Sequence, residues 1–165
     1  MKINLSPELA YLVGLWKHRR TKNGLGIHGS EKLQEVFVAE AMKTLGISAD
    51  KFQVGENEVF FYHSAYRKFF QDTVKRELEV FKWRNEYSAS YLAGLFDSNG
   101  GVSETGKLFL ARFSRSDTLI LERLNFRVLK KSKMLFFANP MDFIGFVKPF
   151  IKHEEVKIML EARKR

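Results

Sequence analysis

The sequence has no cysteine, only three prolines in 165 residues, and no long apolar run. Without cysteine there are no disulfides and no thiolate-ligated zinc, and a reducing or a hot environment would suit the chain equally. No window approaches eighteen uninterrupted apolar residues, so no membrane-spanning helix is expected. The opening Met1-Lys2-Ile3-Asn4-Leu5-Ser6-Pro7 carries no apolar signal core, which leads to the expectation of a cytoplasmic, intracellular protein. The histidines His18, His28, His63 and His153 are irregularly spaced and predict no metal site. Neither a phosphate-cradling glycine loop nor a Gly-X-Ser-X-Gly elbow is present.

What is abundant is positive charge. Twenty-eight Lys and Arg against nineteen Asp and Glu give a net +9 and a pI near 9.8. Such a balance points to a polyanion, because neutralising phosphates releases condensed counterions. Residues 1–85 hold fourteen bases and ten acids, and residues 86–165 hold fourteen and nine. Both halves are therefore expected to contribute to one surface.

The pattern of elements repeats. Ser6-Pro7 predicts a helix start, with Leu9, Leu12, Val13 and Trp16 on the helix that follows. Asn23-Gly24 turns into a strand over 25–28. Ser30 caps a helix through Leu33, Val36, Phe37, Ala41 and Leu45, closed by Gly46. Strands are predicted over 51–54 and 58–63, then a helix over 65–83. The second half follows the same order. A helix begins at Ser88 or Ser90, a strand covers 107–113, and a helix runs from 116 or 117 to 126. Hairpin arms follow at 128–130 and 134–137, then helices over 141–151 and 154–165. Asn139-Pro140 supplies the cap and first residue of the first of these. The first half lacks a counterpart to the short strand predicted at Gly101-Val102-Ser103.

Residues Tyr91–Gly101 read Tyr-Leu-Ala-Gly-Leu-Phe-Asp-Ser-Asn-Gly-Gly. Eighty residues upstream stands Tyr11-Leu12-Val13-Gly14-Leu15-Trp16-Lys17-His18-Arg19. The first string resembles Leu-Ala-Gly-Leu-Ile-Asp-Ala-Asp-Gly, the signature of the LAGLIDADG homing endonucleases, and the second is a degenerate copy matched by position and order. The resemblance implies an α+β fold of two pseudo-twofold half-domains, each an antiparallel sheet forming a saddle backed by helices. It divides the chain into residues 1–83, a linker 84–87, and residues 88–165 ending in a basic helix. It implies a monomer with an internal pseudo-dimer, joined along Tyr11, Leu12, Gly14, Leu15 and Tyr91, Leu92, Gly94, Leu95. Small residues there let two helices approach closely.

In active members the last acid of each motif meets its twin and binds divalent metal. The matched positions here are Arg19 and Asn99. Asparagine offers one neutral carbonyl oxygen and arginine none. The resemblance thus implies a binder of double-stranded DNA, with RNA left open, whose metal-dependent cleavage is lost. No cofactor is expected, with Mg²⁺ required only if cleavage survives. Asp97 is the residual acid. The candidate nucleic-acid contacts are Lys17, Arg19, Arg20, Lys51, Gln53, Lys107, Arg112, Arg115, Arg127, Lys130, Lys131 and Lys133, with His28 and Tyr62 as weaker ones. Alternation along 107–115 gives no cleanly polar set, so the binding face stays open. Two other readings stand: an active endonuclease with displaced acids at Asp97 and Glu104, and an RNA-binding maturase-like or protein-interaction module.

Overall fold

The computed structural model describes residues 2–163. Lys164 and Arg165, expected in the terminal helix, lie outside the described residues. Helix α1, Pro7–Trp16, starts where Ser6 accepts a hydrogen bond from the Leu9 amide and proline occupies the first turn. Every α1 residue from Leu9 onward is buried. A helix apolar on all sides needs cover all round.

Strand β1 (Leu25–His28) and helix α2 (Glu31–Leu45) follow, the helix closing at Gly46 with φ 68°. Strands β2 (Gln53–Gly55) and β3 (Glu58–Phe61) form a hairpin. The expected strand start at Lys51 is corrected, because residues 49–51 close a 3₁₀ turn first. The long helix expected over 65–83 is in fact two: α3 (Ser64–Lys75) and a single turn, α4 (Glu77–Val80). The break falls at Arg76, whose φ of −106° and ψ of 13° leave helical space.

Helix α5, Glu86–Asn99, begins earlier than expected, because Asn85 accepts a hydrogen bond from the Ser88 amide. Glu86 and Tyr87, read as linker, are its first turn. Strands β4 (Gly100–Val102) and β5 (Leu108–Leu110) come next. Strand β5 ends before the expected 113, since the chain turns into a capping box in which Ser114 and Asp117 satisfy each other's amides. Helix α6 (Arg115–Arg123), hairpin β6 (Val128–Lys131) and β7 (Met134–Phe137), α7 (Pro140–Val147) and α8 (Glu154–Arg163) complete the second half. Helix α7 stops short of 151 at a 3₁₀ turn containing Pro149, which lacks an amide proton to continue the ladder.

Two antiparallel sheets result, ordered β1-β3-β2 and β4-β5-β7-β6. The fourth strand missing from the first half survives as one bridge, Arg20 to Ile27. Between the sheets α1 and α5 lie in direct backbone contact. A methyl on Gly14 would lie on the Tyr91 carbonyl, and one on Gly94 on the Tyr11 carbonyl. The reciprocity is that of an internal twofold. Among the described residues no helix is long and apolar enough to cross a membrane.

Candidate nucleic-acid interface

The internal twofold holds atom by atom at the motif ends. The Arg20–Ile27 bridge matches the Gly100–Leu110 pairing, which puts Arg19 opposite Asn99 in the two halves. The backbone agrees: the His28 amide donates to the Arg19 carbonyl at 2.9 Å, and the Ala111 amide to the Asn99 carbonyl at 2.8 Å. The two motifs therefore end at equivalent places.

At that centre stand two guanidinium groups. Arg19 Nε donates to the Ser98 carbonyl at 3.1 Å, at the C-terminal end of α5. Arg112 reaches the His18 carbonyl at 3.5 Å, just past the end of α1. Each arginine thus serves the other half's helix terminus, where unpaired carbonyls concentrate negative charge. Burial and then the neighbouring Arg112 lower the Arg19 pKa from its usual value. Burial, Arg112 and Arg19 likewise lower that of His28, against the pull of Glu58. Asn99 is buried, its Nδ2 donating to the Leu95 carbonyl and the Ser98 hydroxyl, while its Oδ1 has no partner. A divalent cation prefers carboxylate and water oxygens. One orphaned amide oxygen beside a guanidinium does not fit such an ion.

Lys17 is not on the surface. The sequence placed it in a cationic cluster; the fold buries it to 8% exposure. Its Nζ lies 2.7 Å from both Glu77 and Asp117, 3.0 Å from the Ser114 hydroxyl and 3.2 Å from the Tyr91 hydroxyl. Tyr91 donates to Asp117 at 2.8 Å, and His18 Nε2 lies 2.7 Å from the other Asp117 oxygen. Burial alone would raise the Asp117 carboxyl, but the His18 hydrogen bond and the Lys17 charge hold it well below the usual carboxylate range.

Asp97, the twofold equivalent of Lys17, also faces inward. Its Oδ2 accepts from the Tyr11 hydroxyl and from the Lys152 and His153 amides that lead into α8, while Oδ1 is unpartnered. This carboxylate anchors the C-terminal helix. Glu104 is exposed in the β4–β5 turn. Burial pushes the Asp97 carboxyl up to about 7, against the lowering by those three donors. Between an unfolded pKa of about 4 and that value the folded chain holds the extra proton, so stability falls as pH rises. Asp97→Asn should flatten this dependence. Urea unfolding at pH 5 and pH 8 checks it, and equal pH slopes for the two proteins would refute it.

The remaining candidates separate. His18, Arg112, Phe113, Arg115, Lys130 and Lys133 border a concavity of about 830 Å³ between α6 and the β6–β7 hairpin. Lys130 there lies over the Phe113 ring. Lys107 and Lys131 border another, of about 640 Å³, on the opposite face of the second sheet. Arg20 stacks on Trp16 with its charge 4.0 Å from the ring centroid. Lys51, Gln53 and Arg127 are exposed, Lys51 and Gln53 at the edge of the first sheet and Arg127 just before β6. Sequence reasoning passed over a further basic concavity of about 820 Å³, bordered by Lys22, Arg67, Lys68 and Lys75. The signal was available, since 67, 68, 71 and 75 fall at helical spacing on α3.

No protein-family model matches the chain, and no curated protein matches it. Among solved structures it is similar to the homing endonuclease I-DmoI in complex with DNA and Ca, at a TM-score of 0.62 and 17% identity over 97% of this chain and 100% of that one. The complex of I-DmoI with DNA and Mn gives a TM-score of 0.58 and 17% identity, over 90% and 98%. A structure of mesophilic variants of I-DmoI gives 0.59 and 16%, over 86% and 94%. At this identity the likeness shows a shared fold, two half-domains with their helices and antiparallel sheets.

Proposed function

We propose that this protein binds double-stranded DNA across its two sheets and has lost metal-dependent cleavage. The carrying observation is the pair Arg19 and Arg112, hydrogen-bonded to the Ser98 carbonyl in the last turn of α5 and to the His18 carbonyl just past α1. Two cations there attract phosphate and repel divalent metal, and a guanidinium suits bidentate phosphate contact. The net charge of +9 supports the reading, as do similar structures of an endonuclease holding DNA. The half-domains divide near residues 84–85, just ahead of α5.

A labelled duplex pool, with Mg²⁺ or with a chelator, tests this. Salt-sensitive binding in both conditions without strand scission is the expected result; Mg²⁺-dependent nicking would overturn the loss of cleavage. Arg112→Ala should weaken binding about equally for all sequences and reduce the salt slope by about one. Anisotropy titrations across salt measure that slope, and an unchanged value would remove Arg112 from the interface.

A further inference from the structure

We propose that the outer face of the second sheet takes unpaired DNA bases, stacked on Phe109 and Phe136, instead of the edges of a paired duplex. This rests on the nucleic-acid reading above and revises it for one half: the duplex stays on the first sheet and the central arginines, and the second sheet takes bases that have left their pairs.

The internal twofold allows the two faces to be compared row by row. In the second sheet, strand register aligns Gly101, Phe109, Phe136 and Leu129. In the first, the equivalent row is Gly26, Phe60 and Gln53. There Gly26 leaves room for Phe60, which sinks to 8% exposure, and a polar glutamine ends the row. Tyr62, 64% exposed, and His28 add hydrogen-bonding groups to that half. The second half inverts the pattern. Phe109 replaces the glycine, Phe136 stays partly exposed, and Leu129 is 65% exposed.

A duplex major groove is read by donors and acceptors that meet base edges. The Gly101–Leu129 row has no side-chain donor or acceptor. Aromatic rings on a sheet suit bases that have left their pairs, because every base has a face to stack. The two rings neighbour each other at 5.9 Å between centroids, inclined by 54°. The Phe109 ring tip is laid over Gly101, where any Cβ would collide with it, so the glycine keeps the ring down across the strands.

Charge selects the occupant. Lys107 and Lys131, each two residues from the row on the same face, border the cleft beside Phe136 and Leu129, and no carboxylate lines it. An apolar surface with two lysines at its rim fits stacked bases with phosphates at the edge better than it fits a second copy of this basic chain.

The test uses the full protein with a short single strand carrying 2-aminopurine and the matching duplex, both without metal. Stacking should quench the 2-aminopurine on binding. Phe136→Leu keeps apolar bulk without a ring and should lose about ten-fold in single-strand affinity, moving the single-strand-to-duplex ratio. Phe136→Tyr keeps the ring and should restore it. Equal single-strand affinity for the Leu variant and the wild type would overturn the proposal. So would a preference for RNA of the same sequence, or a dimer in sedimentation that Phe136→Leu dissolves. Duplex binding with no single-strand binding would sink this inference alone, whereas binding to neither would sink the nucleic-acid reading with it.

Discussion

Lys17→Met should destabilise the fold by about 3–5 kcal/mol, the cost of leaving buried charge without its partner. The ammonium is the common counter-ion of Glu77 and Asp117, which are 5% and 0% exposed as side chains. Glu77 comes from α4 and Asp117 from α6, so one lysine at the end of α1 ties both halves together. Methionine has nearly the same reach but no charge, and it would leave two carboxylates facing each other across a dry gap. Removing all three charges, as Lys17→Met with Glu77→Gln and Asp117→Asn, should recover much of the loss, because a neutral cluster has no such penalty. The pH dependence follows from the depressed Asp117 carboxyl. Its stabilisation is present above the ordinary aspartate value of about 4 and is lost as pH falls towards the lower folded value. The gap between wild type and Lys17→Met should therefore narrow in acid. Urea unfolding from pH 7 downwards measures it, and a loss below about 1 kcal/mol at pH 7 would mean the cluster is solvated, as exposed pairs are.

Gly14→Ala should cost about 3 kcal/mol or more, although alanine gains about 1 kcal/mol of helix propensity over glycine. The new methyl would lie on the Tyr91 carbonyl and 2.9 Å from the Leu95 nitrogen. Both are backbone atoms of a helix and cannot rotate away, so the two helices must separate. Every large side chain in the seam, Tyr11 and Tyr91 included, would then lose contact. Gly94→Ala should behave alike, its methyl meeting Tyr11 and Leu15 backbone. Once one substitution has opened the seam the second meets less resistance, so the double variant should cost less than the sum of the singles. Separation would also move Arg19 off the Ser98 carbonyl, and DNA affinity should fall along with stability. Thermal unfolding together with anisotropy on the same variants checks this; a Tm within a degree or two of wild type would show that the helices are not in backbone contact.

The motif residues Gly14 and Gly94 stood out in the sequence because their spacing recurs with Tyr11 and Tyr91 beside them. Caps were equally legible: Ser6, Ser30 and Gly46 all act as local chemistry predicts. The misplaced boundaries lie where one local preference competes with another. Arg76 interrupts a run with continuous helical patterning, and Asn85 starts α5 a turn before the serines that also suited a cap. Lys17 departs from the expected surface position for a different reason. In the sequence it is one of four consecutive basic or titratable residues, 17–20, and nothing local distinguishes the buried one. Its counter-ions lie 60 and 100 residues away.

The sequence by itself determined the repeat, the caps, the close helix seam, the basic charge and the absence of acids at Arg19 and Asn99. The caps and the charge follow from residue type, and the repeat from a string that recurs eighty residues on; the seam and the two motif ends are what the resemblance to the LAGLIDADG signature implies. Only the tertiary structure decided which charges are spent inside, which face of the second sheet carries Phe109 and Phe136, and that Arg112 joins Arg19 at the centre. Those outcomes depend on which distant segments become neighbours, because burial changes what a charge or a ring can do, and burial is a property of the packed chain.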